Sequence, residues 1–224
     1  MSKTSFAMRL LRDQDGGPLV EATIMIPFLF TFLMGSVDFL YAFGQWSQAS
    51  KAVEVGARIA AVSDPVADGL SGANNIAVQA VSSTVLLGSA MPDFQVTCDG
   101  SAGTCTCTRG TCTGMGNYSA TAMNLIVYGR QSTGTTCGNP TSYYAAGMCN
   151  FAPITAANVT VVYSQTGLGY AGRVAGPVPT ITVSLQNVPF QFFFLSGLMG
   201  IANVNMPALT TTITGEALSS AAAN

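Results

Sequence analysis

The side chains able to bind a metal or attack a substrate are few in this sequence. It contains six cysteines and no histidine. The usual zinc sites need C-x-x-C pairs or histidines, and the sequence has neither. Disulfide bonds, formed in an oxidising compartment, therefore explain the cysteines better than metal ligation or free thiols, although the sequence leaves their pairing open. The predicted disulfide residues are Cys98, Cys105, Cys107, Cys112, Cys137 and Cys149.

Groups for acid–base catalysis are equally scarce. Without histidine there is no His-based general base, and the acidic residues after the predicted anchor, namely Asp64, Asp68, Asp93, Asp99 and Glu216, form no paired motif. Lysine-dependent serine chemistry would have to use Lys51, which lies on a predicted packed helix. We therefore predict no enzyme, no cofactor and no metal, with a membrane-anchored envelope hydrolase kept as an unfavoured alternative.

The composition points to an exported or assembled protein. Charged residues make up 8% of the chain, against about a quarter in ordinary soluble domains, and hydrophobic residues make up 49%. The formal net charge is -2. Because no basic stripe exists, a nucleic-acid partner is not expected.

A strongly apolar stretch runs from Ala22 to Phe43, interrupted by one ionisable residue, Asp38. About twenty such residues at about 1.5 Å each cross a bilayer core of about 30 Å, so we predict a transmembrane helix. Lys3, Arg9 and Arg12 precede it and favour a cytoplasmic N-terminus. A cleaved signal peptide is the alternative, but its apolar region would be shorter and followed by an A-x-A-like site.

The helical pattern continues beyond the membrane as a strip of small residues and ends near Asp64-Pro65. The strip suits close helix packing, either against another subunit or against the protein's own globular domain. Glu54 and Arg58 on the opposite side have the spacing of an i, i+4 ion pair. The predicted packing residues are Ala49, Ala52, Val53, Gly56, Ala57, Ala60 and Ala61.

The rest of the chain is predicted to form a small α+β domain in which two or three strands make an antiparallel sheet. Helices are predicted at 75–87 and 120–128, strands at 94–97, 158–163, 180–188 and 208–215, and an irregular stapled loop at 98–112. The apolar segment Phe190–Leu195 is too short to span a bilayer. We expect it in the core, with contact to the membrane surface or another subunit as the alternative.

Several motifs along the N-terminal third occur together in one known family. They are Gly16-Gly17-Pro18-Leu19-Val20-Glu21, Pro27, Gly35-Ser36-Val37-Asp38-Phe39 and the Gly-Ala-Arg sequence within 52–60; Met206-Pro207 and Gly215-Glu216-Ala217-Leu218 add a looser match near the end. In this combination the sequence resembles the TadE-like pseudopilins, or minor pilins, of the tight-adherence (type IVc) pilus system.

The resemblance implies how the chain is processed and assembled. A prepilin peptidase would cut between Gly16 and Gly17, leaving Glu21 as the fifth residue of the mature chain. Glu21 would then pair with the freed α-amino group of a neighbouring subunit; the alternative is that it simply complements the helix dipole from the first turn. Asp38 would meet a polar group on another helix or lie at the outer interface.

The resulting prediction has three parts: a cytoplasmic leader (1–16), a long helix (17–64) with its transmembrane part at about 20–43, and an exported domain (65–224) with cysteine-stapled loops. The protein would be a single-pass inner-membrane protein with a periplasmic C-terminal domain, and it would enter a surface pilus. Its partners would be the membrane, other pilins, the prepilin peptidase and the assembly platform. An anchored adhesin acting without a pilus is the alternative function.

Overall fold

A computed structural model describes residues 17–130, 136–138, 146–200, 204–215 and 218. The chain divides into two compact units. One, here called the anchor unit, comprises Met1–Phe43 and Gln191–Asn203; the other, the head unit, comprises Gly44–Phe190 and Val204–Asn224. The predicted α+β class is confirmed, because a long apolar helix is followed by a five-stranded antiparallel sheet.

Helix α1 extends over Gly17–Val62. Its alanine, leucine and methionine content favours a helix, and Pro27 is accommodated inside it. The hydroxyl of Thr31 donates to the Pro27 carbonyl at 2.8 Å, which supplies this turn with an additional hydrogen bond. The helix ends just before Asp64-Pro65, as predicted from the restriction that proline places on the preceding residue.

The sheet belongs to the head unit and contains more strands than predicted. Its spatial order is β2-β1-β3-β4-β5, and every neighbouring pair is antiparallel. Four strands coincide with predicted ones, because their β-branched residues alternate with polar residues. The strands are β1 (Phe94–Asp99), β2 (Thr104–Gly110), β3 (Val159–Ser164), β4 (Thr180–Leu185) and β5 (Leu209–Thr214).

Strand β2 corrects the prediction of an irregular loop at 98–112. Cys98 on β1 and Cys105 on β2 lie directly opposite each other in the ladder and form a disulfide. Two further disulfides join Cys107 to Cys112 and Cys137 to Cys149. The irregular-loop prediction failed because Gly and Thr obscured the strand pattern, which becomes visible only when β2 is paired with β1.

The core of the head unit lies between the sheet and the small-residue strip of α1. Alternate residues of β1 and β3, among them Phe94, Val96 and Tyr163, are buried in one cluster with that strip. The Tyr163 hydroxyl accepts a hydrogen bond from the Val66 amide at 2.9 Å. Burial raises the pKa of Tyr163, so the phenol stays protonated at any physiological pH.

The described part of the head unit also contains two short α-helices, and one of them is much shorter than predicted. Helix α2 covers only Ile76–Gln79, capped by the Asn75 side chain, rather than the predicted 75–87. The Ser82 hydroxyl accepts from the amides of Thr84 and Val85, and this local turn competes with helix continuation. Helix α3 covers Ala120–Tyr128, as predicted, with Ser119 as its N-cap.

The phenylalanine-rich segment contradicts the expectation of core burial. Phe190 does pack against the head core. Phe193 and Phe194, however, belong to the anchor unit and are 65% and 43% exposed. Phe194 is the first residue of a short helix, α4 (Phe194–Met199). Hydrophobicity alone could not distinguish a core strand from an exposed apolar segment.

Candidate functional site

The surface of α1 within the anchor unit is apolar and exposed. Its large side chains from Leu19 to Phe43 are mostly open, and a helix of this length and hydropathy fits a single-pass membrane anchor. The hydroxyls of Thr23, Thr31 and Ser36 each donate to the carbonyl four residues earlier, at 2.6 to 2.9 Å. The hydroxyls therefore impose no unpaired donor on a hydrocarbon environment.

The predicted processing and assembly residues lie at the N-terminal end of α1 or just before it. Gly16 lies outside the described residues, whereas Gly17 and Glu21 are described, helical and exposed. The side chain of Glu21 makes no hydrogen bond or ion pair with the part of the chain that the structure describes.

Asp38 is buried, although it belongs to an otherwise exposed apolar helix. Its carboxylate accepts three backbone hydrogen bonds: Phe193 N to Oδ1 at 3.0 Å, and Phe194 N and Leu195 N to Oδ2 at 2.8 and 2.7 Å. The Tyr41 and Phe193 rings lie beside this contact, with centroids 4.8 Å apart. Two of these donors, Phe194 and Leu195, lie in the first turn of α4, so Asp38 contacts polar groups of another helix of its own chain.

The small-residue strip packs inside the head unit. Ala49, Ala52, Val53, Ala57 and Ala60 have at most 1% exposure and join the core cluster. Gly56 is also buried, and the Met148 side chain lies against it. Of the two interpretations drawn from the sequence, this burial agrees with packing on the protein's own domain, since side chains covered by that domain cannot also contact another helix.

A large side chain at Gly56 should destabilise the head. A Cβ there would lie 2.4 Å from Met148 Sδ, so Gly56→Leu should lower the free energy of unfolding by about 1–3 kcal/mol through overpacking. Gly56→Ala should be nearly neutral, since the flexible methionine tip can shift and alanine favours the helix by about 1 kcal/mol. Urea denaturation in detergent measures both effects. Gly44→Leu is the matched control, because nothing lies within 4 Å of its Cβ position; equal losses at 44 and 56 would contradict the packing explanation.

The charged side chains on the face of α1 opposite to the strip pair differently from the prediction. Glu54 binds Lys51, with Nζ and Oε2 3.0 Å apart, instead of the expected Arg58. Both partners are half exposed, and an i, i+3 pair of this kind contributes a few tenths of a kcal/mol at most. Lys51 is therefore held by a surface ion pair on α1.

A cleft in the head unit offers little support for the hydrolase alternative. It is lined by Asp64, Asp68, Ser119 and Arg130, among others. Ser119, one of the hydroxyl side chains that line it, accepts a hydrogen bond from the Ala122 amide as the N-cap of α3. Among the described residues no cluster of His, Cys, Asp or Glu has metal-binding geometry.

Comparison with known protein families gives a match that lies within α1. The sequence model of the TadE-like protein family matches residues 19–58. This segment is TadE-like. The match covers the apolar part of α1 and most of its small-residue strip, and it confirms the resemblance seen in the sequence. Searches of curated proteins and of solved structures gave no match.

The TadE-like match is confined to α1 and does not extend to the sheet of the head unit. The exposed apolar surface of α1 agrees with a single-pass membrane anchor. Sequence reasoning missed the partners of Asp38, because backbone amides carry no sequence signal. The sequence offered one hint: it contains a single acid, Asp38, within the apolar run, and a second apolar segment, Phe190–Leu195, for which no partner had been predicted.

Proposed function

We propose that this protein is a minor pilin or pseudopilin that supports biogenesis of a tight-adherence pilus and, through it, surface attachment. The TadE-like match carries the proposal, because it falls on the helix that leaves an apolar surface open along the anchor unit. The protein acts by assembly: α1 is held in the bacterial inner membrane, and the head is carried on its periplasmic side. Other pilins and the inner-membrane assembly platform are its partners.

Processing by a prepilin peptidase belongs to this proposal. Cleavage between Gly16 and Gly17 would create an α-amino group four residues before Glu21 on α1. The exposed Glu21 carboxylate has no partner in the described chain, so the α-amino group of a neighbouring subunit is a suitable counter-charge. A carboxylate near hydrocarbon is costly unless it is paired, and assembly supplies the pair.

Mass spectrometry of the protein from its native membrane tests the processing step. We expect the mature chain to begin at Gly17. The matched variant Gly16→Ala should retain the leader, because the peptidase cuts after glycine in the families that the sequence resembles. A wild-type chain that keeps residues 1–16 in the membrane would remove both the peptidase and the α-amino partner of Glu21 from the proposal.

A further inference from the structure

The segment 191–200 has the properties of a membrane-inserted element, and it lies in the same compact unit as the apolar half of α1. It contains no charged residue, and Phe193 and Phe194 expose much of their rings. The residues that flank the segment are adjacent: the Phe190 amide donates to the Val204 carbonyl at 2.8 Å, and Pro189 and Asn205 form an isolated β-bridge. The chain therefore leaves the head unit and returns to it at the same place, and we call residues 191–200 the excursion.

The contact with Asp38 fixes the depth of this excursion along α1. Asp38 precedes the end of the apolar run at Phe43 by five residues, or about 8 Å of helix. Three amides of the excursion lie within 3.0 Å of its carboxylate. Any bilayer that covers α1 up to Phe43 therefore also reaches Phe193 and Phe194.

Three backbone amides at the start of α4 have an acceptor outside the helix. The first amides of a helix have no partner within the helix, and unpaired amides are excluded from lipid. Here Asp38 accepts from Phe193, Phe194 and Leu195, while the Ser196 hydroxyl donates to the Phe192 carbonyl at 2.8 Å. The same contacts satisfy the acid, which would otherwise be costly inside a membrane.

We propose that residues 191–200 insert into the bilayer leaflet nearest to Phe43, so that the anchor consists of α1 and a second, re-entrant element joined to it through Asp38. The ligand of the exposed phenylalanine surface is the lipid acyl chain. This inference rests on the membrane anchoring in the proposed function. It goes beyond that function, because a pilin anchored by α1 alone needs no second element.

Tryptophan fluorescence of the full-length protein in phosphatidylcholine vesicles with brominated acyl chains tests the insertion. The background is Trp46→Phe, which removes the one native tryptophan. Phe193→Trp reports on the excursion, and Phe194→Trp serves as a second reporter in case the contact of Phe193 with Tyr41 is disturbed. Phe39→Trp on α1, 71% exposed, and Leu86→Trp in the head unit, 68% exposed, are the positive and negative controls.

We expect bromine quenching at 193 and 194 to lie within about a factor of two of that at 39, because all three side chains share one depth. Position 86 should be unaffected. Quenching at 39 without quenching at 193 and 194 would overturn the inference and leave the anchor intact; it would mean that water or another protein chain covers the excursion. Absence of quenching at 39 would overturn both the inference and the proposed membrane anchoring.

Discussion

Replacing Glu21 by alanine should abolish surface pili while the head stays folded. In the proposed assembly the Glu21 carboxylate neutralises the α-amino group of a neighbouring subunit at the membrane boundary. Losing one member of such a desolvated pair should reduce piliation by at least about tenfold. Counting sheared pili by electron microscopy, together with a surface-attachment assay, measures the effect.

Two further variants serve as controls in this experiment: one tests the charge of Glu21, and the other tests the loss of a different acid from α1. Glu21→Gln keeps the size and polarity of the side chain but removes its charge, and it should fail as Glu21→Ala does. Glu54→Ala removes an acid from the same helix, at a half-exposed surface pair with Lys51, and pili should persist. Normal piliation with Glu21→Ala or Glu21→Gln would contradict the pairing role, whereas loss with Glu54→Ala would point to a general sensitivity of α1 to lost charge.

Asp38→Leu should detach the excursion 191–200 from α1. The substitution removes every acceptor for the amides of Phe193, Phe194 and Leu195. Hydrogen bonds to charged groups are among the stronger ones in proteins, and three are lost together. In detergent-solubilised protein we expect protease cleavage within the excursion to accelerate by about tenfold or more.

Asp38→Asn provides the graded control for that experiment. One amide oxygen can still accept from Phe194 and Leu195, the two donors that share Oδ2, but the bond from Phe193 and the negative charge are lost. Cleavage should therefore be intermediate between wild type and Asp38→Leu. Equal cleavage rates in all three proteins would show that the carboxylate does not hold the excursion. The urea midpoint of the head serves as a check that the sheet remains folded.

The parts of the fold that could be predicted are those with strong local signals. The apolar run and the small-residue strip predicted α1, and Pro65 predicted its end. Alternation of β-branched and polar residues located β1, β3, β4 and β5, and the helix predicted at 120–128 coincides with α3. Each of these patterns repeats over several residues within one element.

The features that could not be predicted depend on partners distant in sequence. Strand β2 is recognisable only through its pairing with β1, and the register places Cys98 opposite Cys105. Asp38 and Phe193 are 155 residues apart, and the contact between them uses backbone amides, which every residue but proline has. The roles assigned to Gly16, Gly17 and Glu21 come from resemblance and remain predictions.

The three disulfides share an arrangement that bears on how the head matures. The cysteines pair consecutively in chain order, the first with the second, the third with the fourth and the fifth with the sixth, at separations of 7, 5 and 12 residues. Such short loops close at a low entropic cost. During export, an oxidase that joins thiols in the order in which they emerge would produce the native set. Maturation of the head would then need no isomerase to correct mispaired thiols.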